Sequence, residues 1–391
     1  MNRFLICALA LTLGAIPASA QSLEDLNIQI HGYATQGFLY TTNNNAFTTN
    51  SSNGSPAWSD VVVNVGSQPI PKLRVAMQAR YSLLGNYGNV ISLDFASADY
   101  KANDKFGVRF GKVKMPLGLF NEIQDIDPSY MWSLLPQSVY PIASRNSQLA
   151  ELGGVVYGAL KLGPKLGKLE YRGWGGEVSV AGSDGLFVNS AETGTTLPNG
   201  LNGIANGTAL HWATPLPGLM AGASFMRLNA MTDPLSVGFG AYKGTETINP
   251  INLPNYFAKY EKNRLMVAVE DARYTGSAHV VLPALGPYGI SNTALDNRQW
   301  YAMATYRVTD KLTAGAYDSQ FVAHKTAVSK TGARYSKDWV ISGRYDFNQF
   351  LYAKAEEHFI DGAAQDYDTT LNAGGIKPTT KLTILKLGVS F

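Results

Sequence analysis

From Asn27 onward the chain is a succession of alternating runs of about ten residues, cut by clusters of Gly, Pro, Asn and Asp. A period of two puts successive side chains on opposite faces of a strand. The interrupting residues supply turn geometry. This rhythm predicts sixteen strands: 28–40, 58–67, 72–83, 89–101, 105–115, 151–162, 167–180, 207–214, 218–230, 254–261, 264–275, 297–308, 311–323, 337–347, 350–361 and 380–391. Within a run the faces differ in character. Leu265, Val267 and Val269 oppose Met266, Ala268 and Glu270, and Trp339, Ile341, Gly343, Tyr345 and Phe347 oppose Asp338, Val340, Ser342, Arg344 and Asp346.

The connections alternate between short and long. The short set is 68–71, 102–104, 163–166, 215–217, 262–263, 309–310 and 348–349. The long set is 41–57, 116–150, 181–206, 231–253, 276–296, 324–336 and 362–379, with 84–88 as a brief exception. A soluble sandwich has no reason to sort its loops by length onto alternate ends, whereas a membrane barrel carries tight turns on one rim and long loops on the other. In lipid every backbone group must be paired internally, so a closed barrel is the one sheet that can span. The expected fold is therefore all-β: a transmembrane antiparallel β-barrel of 16 strands with short periplasmic turns and long extracellular loops.

Composition narrows the alternatives. Only 16% of the 391 residues are charged, against roughly 25% in an ordinary soluble domain. Thirty-nine glycines argue against a helical protein, because each interior Gly costs a helix about 1 kcal/mol. Beyond residue 20 no uncharged apolar run approaches the roughly 18 residues of a spanning helix. A net charge of +3, evenly spread, does not suit a nucleic-acid binder. Residues 1–20 combine Arg3, an apolar stretch from Phe4 to Ile16 and an A-x-A site at Ala18-Ser19-Ala20, and read as a cleaved secretory signal peptide. Residues 21–391 are then one barrel domain exported to the bacterial outer membrane. The sole cysteine, Cys7, falls in the signal, so disulfides do not hold the domain together.

Two features point to the envelope more specifically. Aromatics gather near strand ends (Phe38, Tyr40, Trp300, Tyr301, Trp339, Phe347, Phe350, Tyr352), where amphipathic rings suit headgroup depth. Leu385, Leu387, Val389 and the terminal Phe391 occupy every second position to the chain end. This ending resembles the signal read by barrel-assembly machinery, with Phe391 as its key residue.

The most distinctive stretch begins at Leu73: LRVAMQARYSLLGNYGN, then VISLDFASADY, then VRFGKVKMPLGLFNEIQDIDPSYMWSLLPQSVYP. It resembles the bacterial outer-membrane porin superfamily, and within it the phosphate-selective porin O/P-like family. The resemblance implies a water-filled, often trimeric barrel that passes small hydrophilic solutes and ions by passive diffusion. Its expected partners are outer-membrane lipid and lipopolysaccharide, the assembly machinery and small solutes, with a homotrimer as an assembly and no nucleic acid. The chain lacks a dense arginine and lysine ladder, so an anion preference is open and phosphate selectivity is not implied by its charges.

The 116–150 connection is far longer than the roughly 15 residues at which loops become functional or disordered. Phe120, Ile123, Ile126, Tyr130, Met131, Trp132, Leu134, Leu135 and Tyr140 give it the means to pack. A loop so apolar, attached to a wide barrel, is expected to fold inward as a constriction. Its charges are Glu122, Asp125, Asp127 and Arg145, and the preceding strands offer Arg74, Arg80, Arg109, Lys112 and Lys114. Arg74, Gln78 and Arg80 lie opposite Leu73, Val75, Met77 and Ala79, and Arg109 opposes Val108 and Phe110, which assigns them to the lumen. Some subset of these nine charges is expected to form the selectivity region, because opposed charges across a narrow aqueous gap orient and select solutes. Lys112 and Lys114, at a strand end, suit the rim.

Other chemistry finds little support. The histidines His31, His211, His279, His324 and His358 show no metal-ligand spacing, and no G-x-S-x-G elbow places a nucleophile. No enzyme, cofactor or metal is expected. The competing readings are an outer-membrane barrel enzyme, which needs a rim Ser/His or Asp/His constellation, and a gated importer of hydrophobic compounds, which needs an N-terminal hatch where only Gln21–Asn27 precede the first strand.

Overall fold

The computed structural model describes residues 26–325, 331–367 and 369–391; the expected signal peptide, 1–20, lies outside the described residues. Among them the chain runs as β1 (Gln29–Thr41), β2 (Ser55–Ile70), β3 (Leu73–Leu84), β4 (Asn89–Asn103), β5 (Phe106–Lys114), β6 (Ala150–Gly163), β7 (Gly167–Val180) and β8 (Leu201–Ala213). It continues as β9 (Leu219–Leu228), β10 (Met231–Val237), β11 (Tyr242–Lys262), β12 (Leu265–Val281), β13 (Ile290–Arg307), β14 (Leu312–Lys325), β15 (Tyr335–Asp346), β16 (Leu351–Gly362) and β17 (Thr379–Ser390). All strands belong to one antiparallel sheet. β9 and β10 pair in turn with the lower and upper halves of β11, so they form a single stave broken at 229–230. The sheet is thus a 16-strand barrel, closed where β1 pairs with β17. Reciprocal backbone bonds between Gly32 and Phe391, at 3.1 and 3.0 Å, complete the seam.

Burial along the staves is inverted relative to a soluble protein. Outward Leu265, Val267 and Val269 are exposed, while their inward neighbours Ala268 and Glu270 are buried. Ile91 is 80% exposed, while Lys354 is only 2% exposed. Large exposed apolar side chains around buried charges make a surface suited to acyl chains rather than water. No helix among the described residues is long and apolar enough to cross a membrane.

Two sequence expectations change. Segments 231–253 and 276–296 are largely strand, not loop: β10 pairs with β11 from Met231↔Ile248 to Val237↔Tyr242, and β12 with β13 up to Val281↔Ile290. These hairpins carry Thr232, Glu246, Thr247, Asn249, Ser277, His279 and Asn292. Apolar alternation fades there while the backbone ladder continues. Tyr301 and Tyr352 are not girdle residues. Both point inward and are buried, whereas Phe38, Tyr40, Trp339, Phe347 and Phe350 are exposed outside.

Glycine has a positional use in this wall. A Cβ at Gly207 would lie 2.2 Å from Trp174 Cζ2, and one at Gly222 would lie 2.3 Å from Phe257 Cζ. Each inward ring rests on bare backbone of the neighbouring strand, a cross-strand pairing in which the ring covers what the glycine exposes.

Candidate permeation site

Between β5 and β6 the chain makes its longest connection, 115–149, and its side chains meet the inward faces of distant staves. Phe120, Met131, Trp132, Leu135, Val139 and Tyr140 cluster with Ala268, Tyr301, Met303, Tyr317 and Val340. Trp132 meets Tyr317 edge-on at 4.9 Å. The loop backbone is tied down by two wall carboxylates. Glu270 accepts from Leu119 N, Tyr140 Oη, Asn255 and Tyr301, and Glu356 accepts from Ser133 N at 2.6 Å and Leu134 N at 3.2 Å. Buried N–H groups without such acceptors would carry a desolvation cost.

The nine charges named from sequence divide into four situations. Asp125, Asp127, Lys114 and Arg145 are buried in ion pairs. Lys114 Nζ donates to Asp125 Oδ1 at 2.6 Å and to Glu122 O at 2.9 Å. Arg145 grips Asp94 with two bonds, of 3.2 and 2.8 Å. Asp94 is available because a register shift between Gln78 and Ala79 leaves it as an extra residue in β4, a bulge. Asp127 receives Lys354 and Lys386, each at 2.9 Å, and the Tyr352 hydroxyl at 2.7 Å. Burial alone would raise the Asp127 carboxyl's pKa, but the two ammonium groups outweigh it and hold it well below the usual carboxylate range. Burial would likewise lower the Arg145 pKa, and Asp94 more than reverses that.

Arg80 pairs with Asp60 on β2, and both side chains are nearly buried. Arg74 is exposed on β3, opposite Asp99 in register. Lys112 stands opposite Ala96 and Leu152, the latter an exposed outward residue, and donates to Leu93 O. It therefore sits on the outer surface, away from the lumen.

Arg109 and Glu122 remain open. Arg109 Nε meets Asp99 at 2.9 Å and its Nη1 lies 3.7 Å from Glu122, while Glu122 is 3.6 Å from Arg172 Nε on β7. The three side chains are 30%, 32% and 22% exposed. They line a cavity of about 270 Å³ with Lys101, Asp104, Val155, Tyr157, Lys168 and Glu170. Sequence reasoning missed Arg172. The available signal was its phase: it shares the inward face of β7 with Trp174, whose neighbours in register are Val155 and Gly207.

Among the described residues no group of three His, Cys, Asp or Glu side chains is placed to hold a metal ion.

Neither a protein-family model nor a curated protein sequence matches the chain. Solved structures do. OmpF of Salmonella typhi, in complex with daunomycin, superposes with a TM-score of 0.59 at 11% identity, over 95% of this chain and 99% of that one. The anion-selective porin of Comamonas acidovorans gives 0.56 at 9% identity, over 93% and 99%. A trimer form of OmpT, an outer-membrane protein of Vibrio cholerae, gives 0.56 at 12% identity, over 93% and 99%. At such identities the likeness is one of fold: this chain has the 16-strand barrel that bacterial porins share.

Proposed function

We propose that the chain is a bacterial outer-membrane porin, a water-filled channel for passive diffusion of small hydrophilic solutes and ions. The observation that carries this reading is the half-exposed Arg109–Glu122–Arg172 group, set where the 115–149 loop meets the lumen wall of an outwardly apolar barrel. Low-dielectric walls strengthen charges held at such a gap. Four cations (Lys101, Arg109, Lys168, Arg172) against three carboxylates (Asp104, Glu122, Glu170) line the cavity, which favours a modest anion preference. Phosphate selectivity has no support in this charge count. The homotrimer is our proposal for the assembly, by analogy with the trimeric OmpT form. Outer-membrane lipid, lipopolysaccharide and the assembly machinery are its proposed partners.

The test is a planar bilayer. Detergent-folded protein should give ohmic steps that persist across voltages, with a reversal potential under a KCl gradient displaced toward chloride. A barrel that inserts yet stays electrically silent in several salts refutes the proposal.

A further inference from the structure

Three charged side chains of alternating sign line one cavity: Arg109 on β5, Glu122 on the long loop and Arg172 on β7. The two guanidiniums belong to strands on either side of β6, whose Tyr157 lines the same cavity and stands opposite Arg172 in register. Glu122 lies 3.7 Å from Arg109 Nη1 and 3.6 Å from Arg172 Nε. Those gaps exceed the roughly 2.7–2.9 Å of a charge-assisted hydrogen bond. Lys114 Nζ holds the Glu122 carbonyl at 2.9 Å, whereas among the described residues the Glu122 carboxylate has these two long ion pairs alone.

Both guanidiniums are fixed from behind. Arg109 Nε donates to Asp99 at 2.9 Å, the Tyr157 hydroxyl donates to the same carboxylate, and the Tyr157 ring lies 5.8 Å from the Arg109 guanidinium. Glu170 lies 3.4 Å from Arg172 Nη2. Groups set in place before a ligand arrives lose less freedom on binding it. The cavity measures about 270 Å³, whereas one water needs about 10–15 Å³, so it admits a solute of several heavy atoms. Its other charges cancel in pairs, Lys101 with Asp104 at 2.9 Å and Lys168 with Glu170 at 2.7 Å. What remains is the order positive, negative, positive. Chloride suits either guanidinium but meets Glu122 as a like charge, and a simple cation suits Glu122 but meets two guanidiniums. The complement is one solute whose charges run negative, positive, negative.

We propose that this cavity is a recognition subsite for acidic amino acids. The solute's ammonium sits on Glu122, and its two carboxylates take the guanidinium edges of Arg109 and Arg172 that face Glu122. A guanidinium presents a planar fork that matches a carboxylate. The solute thereby replaces two long ion pairs with charge-assisted hydrogen bonds. The inference rests on the porin reading in that the solute arrives through the lumen. It deepens that reading by naming a solute class and by giving Glu122 an attractive role beside the two arginines.

L-Glutamate is the probe, with glutamine as the analogue that keeps one carboxylate and glutarate as the analogue without the ammonium. Binding to the detergent-folded barrel is read by calorimetry, and block of the chloride current is read in bilayers. Glutamate should bind and block, with both analogues at least about tenfold weaker, as loss of a hydrogen bond between charged groups implies. Glu122→Gln should erase the difference between glutamate and glutarate, and Arg172→Gln the difference between glutamate and glutamine. The heat-modifiable gel shift shows that each variant is folded. Equal binding of the three solutes, or both differences kept in the variants, overturns the subsite and leaves water between these charges. A conducting barrel that ignores glutamate sinks the subsite alone, whereas a silent barrel that binds glutamate sinks the porin reading alone.

Discussion

The two sides of the lumen use the same residue types for opposite ends. Toward β15–β17 and β1–β4, charge is buried and paired: Asp127 with Lys354 and Lys386, Asp94 with Arg145, Asp60 with Arg80. Lys386 also lies 3.8 Å above the Trp58 ring, and Lys354 4.8 Å above that of Tyr130. Toward β5–β8, Lys114 is still buried against Asp125, but Glu122 is partly exposed and meets Arg109 and Arg172 only at the longer range of 3.7 and 3.6 Å. A buried pair is screened little and holds geometry, while an exposed one keeps a field in water and holds geometry weakly. In this barrel the first kind anchors the loop or ties neighbouring staves together, and on the proposed function the second kind faces the solute.

The largest effect should come from breaking an anchor. Asp127→Asn leaves Lys354 and Lys386 buried side by side with no counter-charge. Removing one partner of a buried pair costs about 3–5 kcal/mol. The thermal midpoint of the gel shift should fall clearly, and the single-channel conductance should become noisy as the loop loosens. A variant as heat-stable and as quiet as the parent would show that the loop is held by its apolar contacts alone.

Replacing the open charges should invert that outcome. Arg109→Gln with Arg172→Gln should leave stability within about 1 kcal/mol, as expected for exposed pairs. The reversal potential should move toward cations, because Glu122 then faces the cavity without either guanidinium. Arg80→Gln should do the reverse: little change in selectivity and a loss of stability, since it orphans Asp60. If Arg80→Gln moves the reversal potential more than the double variant does, the division between the two sides is wrong.

That division explains how much the sequence discloses. The stave count was legible because each spanning strand must be apolar on its outer face, whatever lines its inner one. The hairpin extensions of β10–β13 were not, because Thr232, Thr247 and Asn249 are polar at positions where the other staves carry an apolar outer face. Orientation was available to parity: Tyr301 alternates with the outward Trp300, and it lies buried inside. Partnership was not. Lys354 and Lys386 lie 227 and 259 residues from Asp127, and one strand's pattern says nothing about which charge faces it across a lumen. Hence Asp125, Asp127 and Arg145, read as candidates for a field, sit in buried pairs, while Arg172 went unnamed.

The smallest effect concerns the mouth. Gln365 Nε2 donates to Gln137 O on the long loop at 3.0 Å, Phe47 N donates to Asp366 O at 2.9 Å, and Asn189 Nδ2 donates to Tyr367 O at 3.2 Å. Three loops are thereby joined through one short stretch, in which Asp366 adopts a left-handed φ of 68°. Burial first, then the charge of Asp338, push the Asp366 carboxyl up to about 7, with His358 opposing. A free chain loses that proton near about 3.9. The seated stretch therefore binds a proton that the released one sheds, and seating weakens as pH rises from about 4 to about 7, then levels. Hydrogen exchange at Asp366 and Tyr367, corrected for intrinsic rates, should lose protection across that window by no more than about tenfold per pH unit. Asp366→Asn should flatten the dependence. Equal slopes in parent and variant would move the titration to another group and leave the mouth indifferent to this carboxyl.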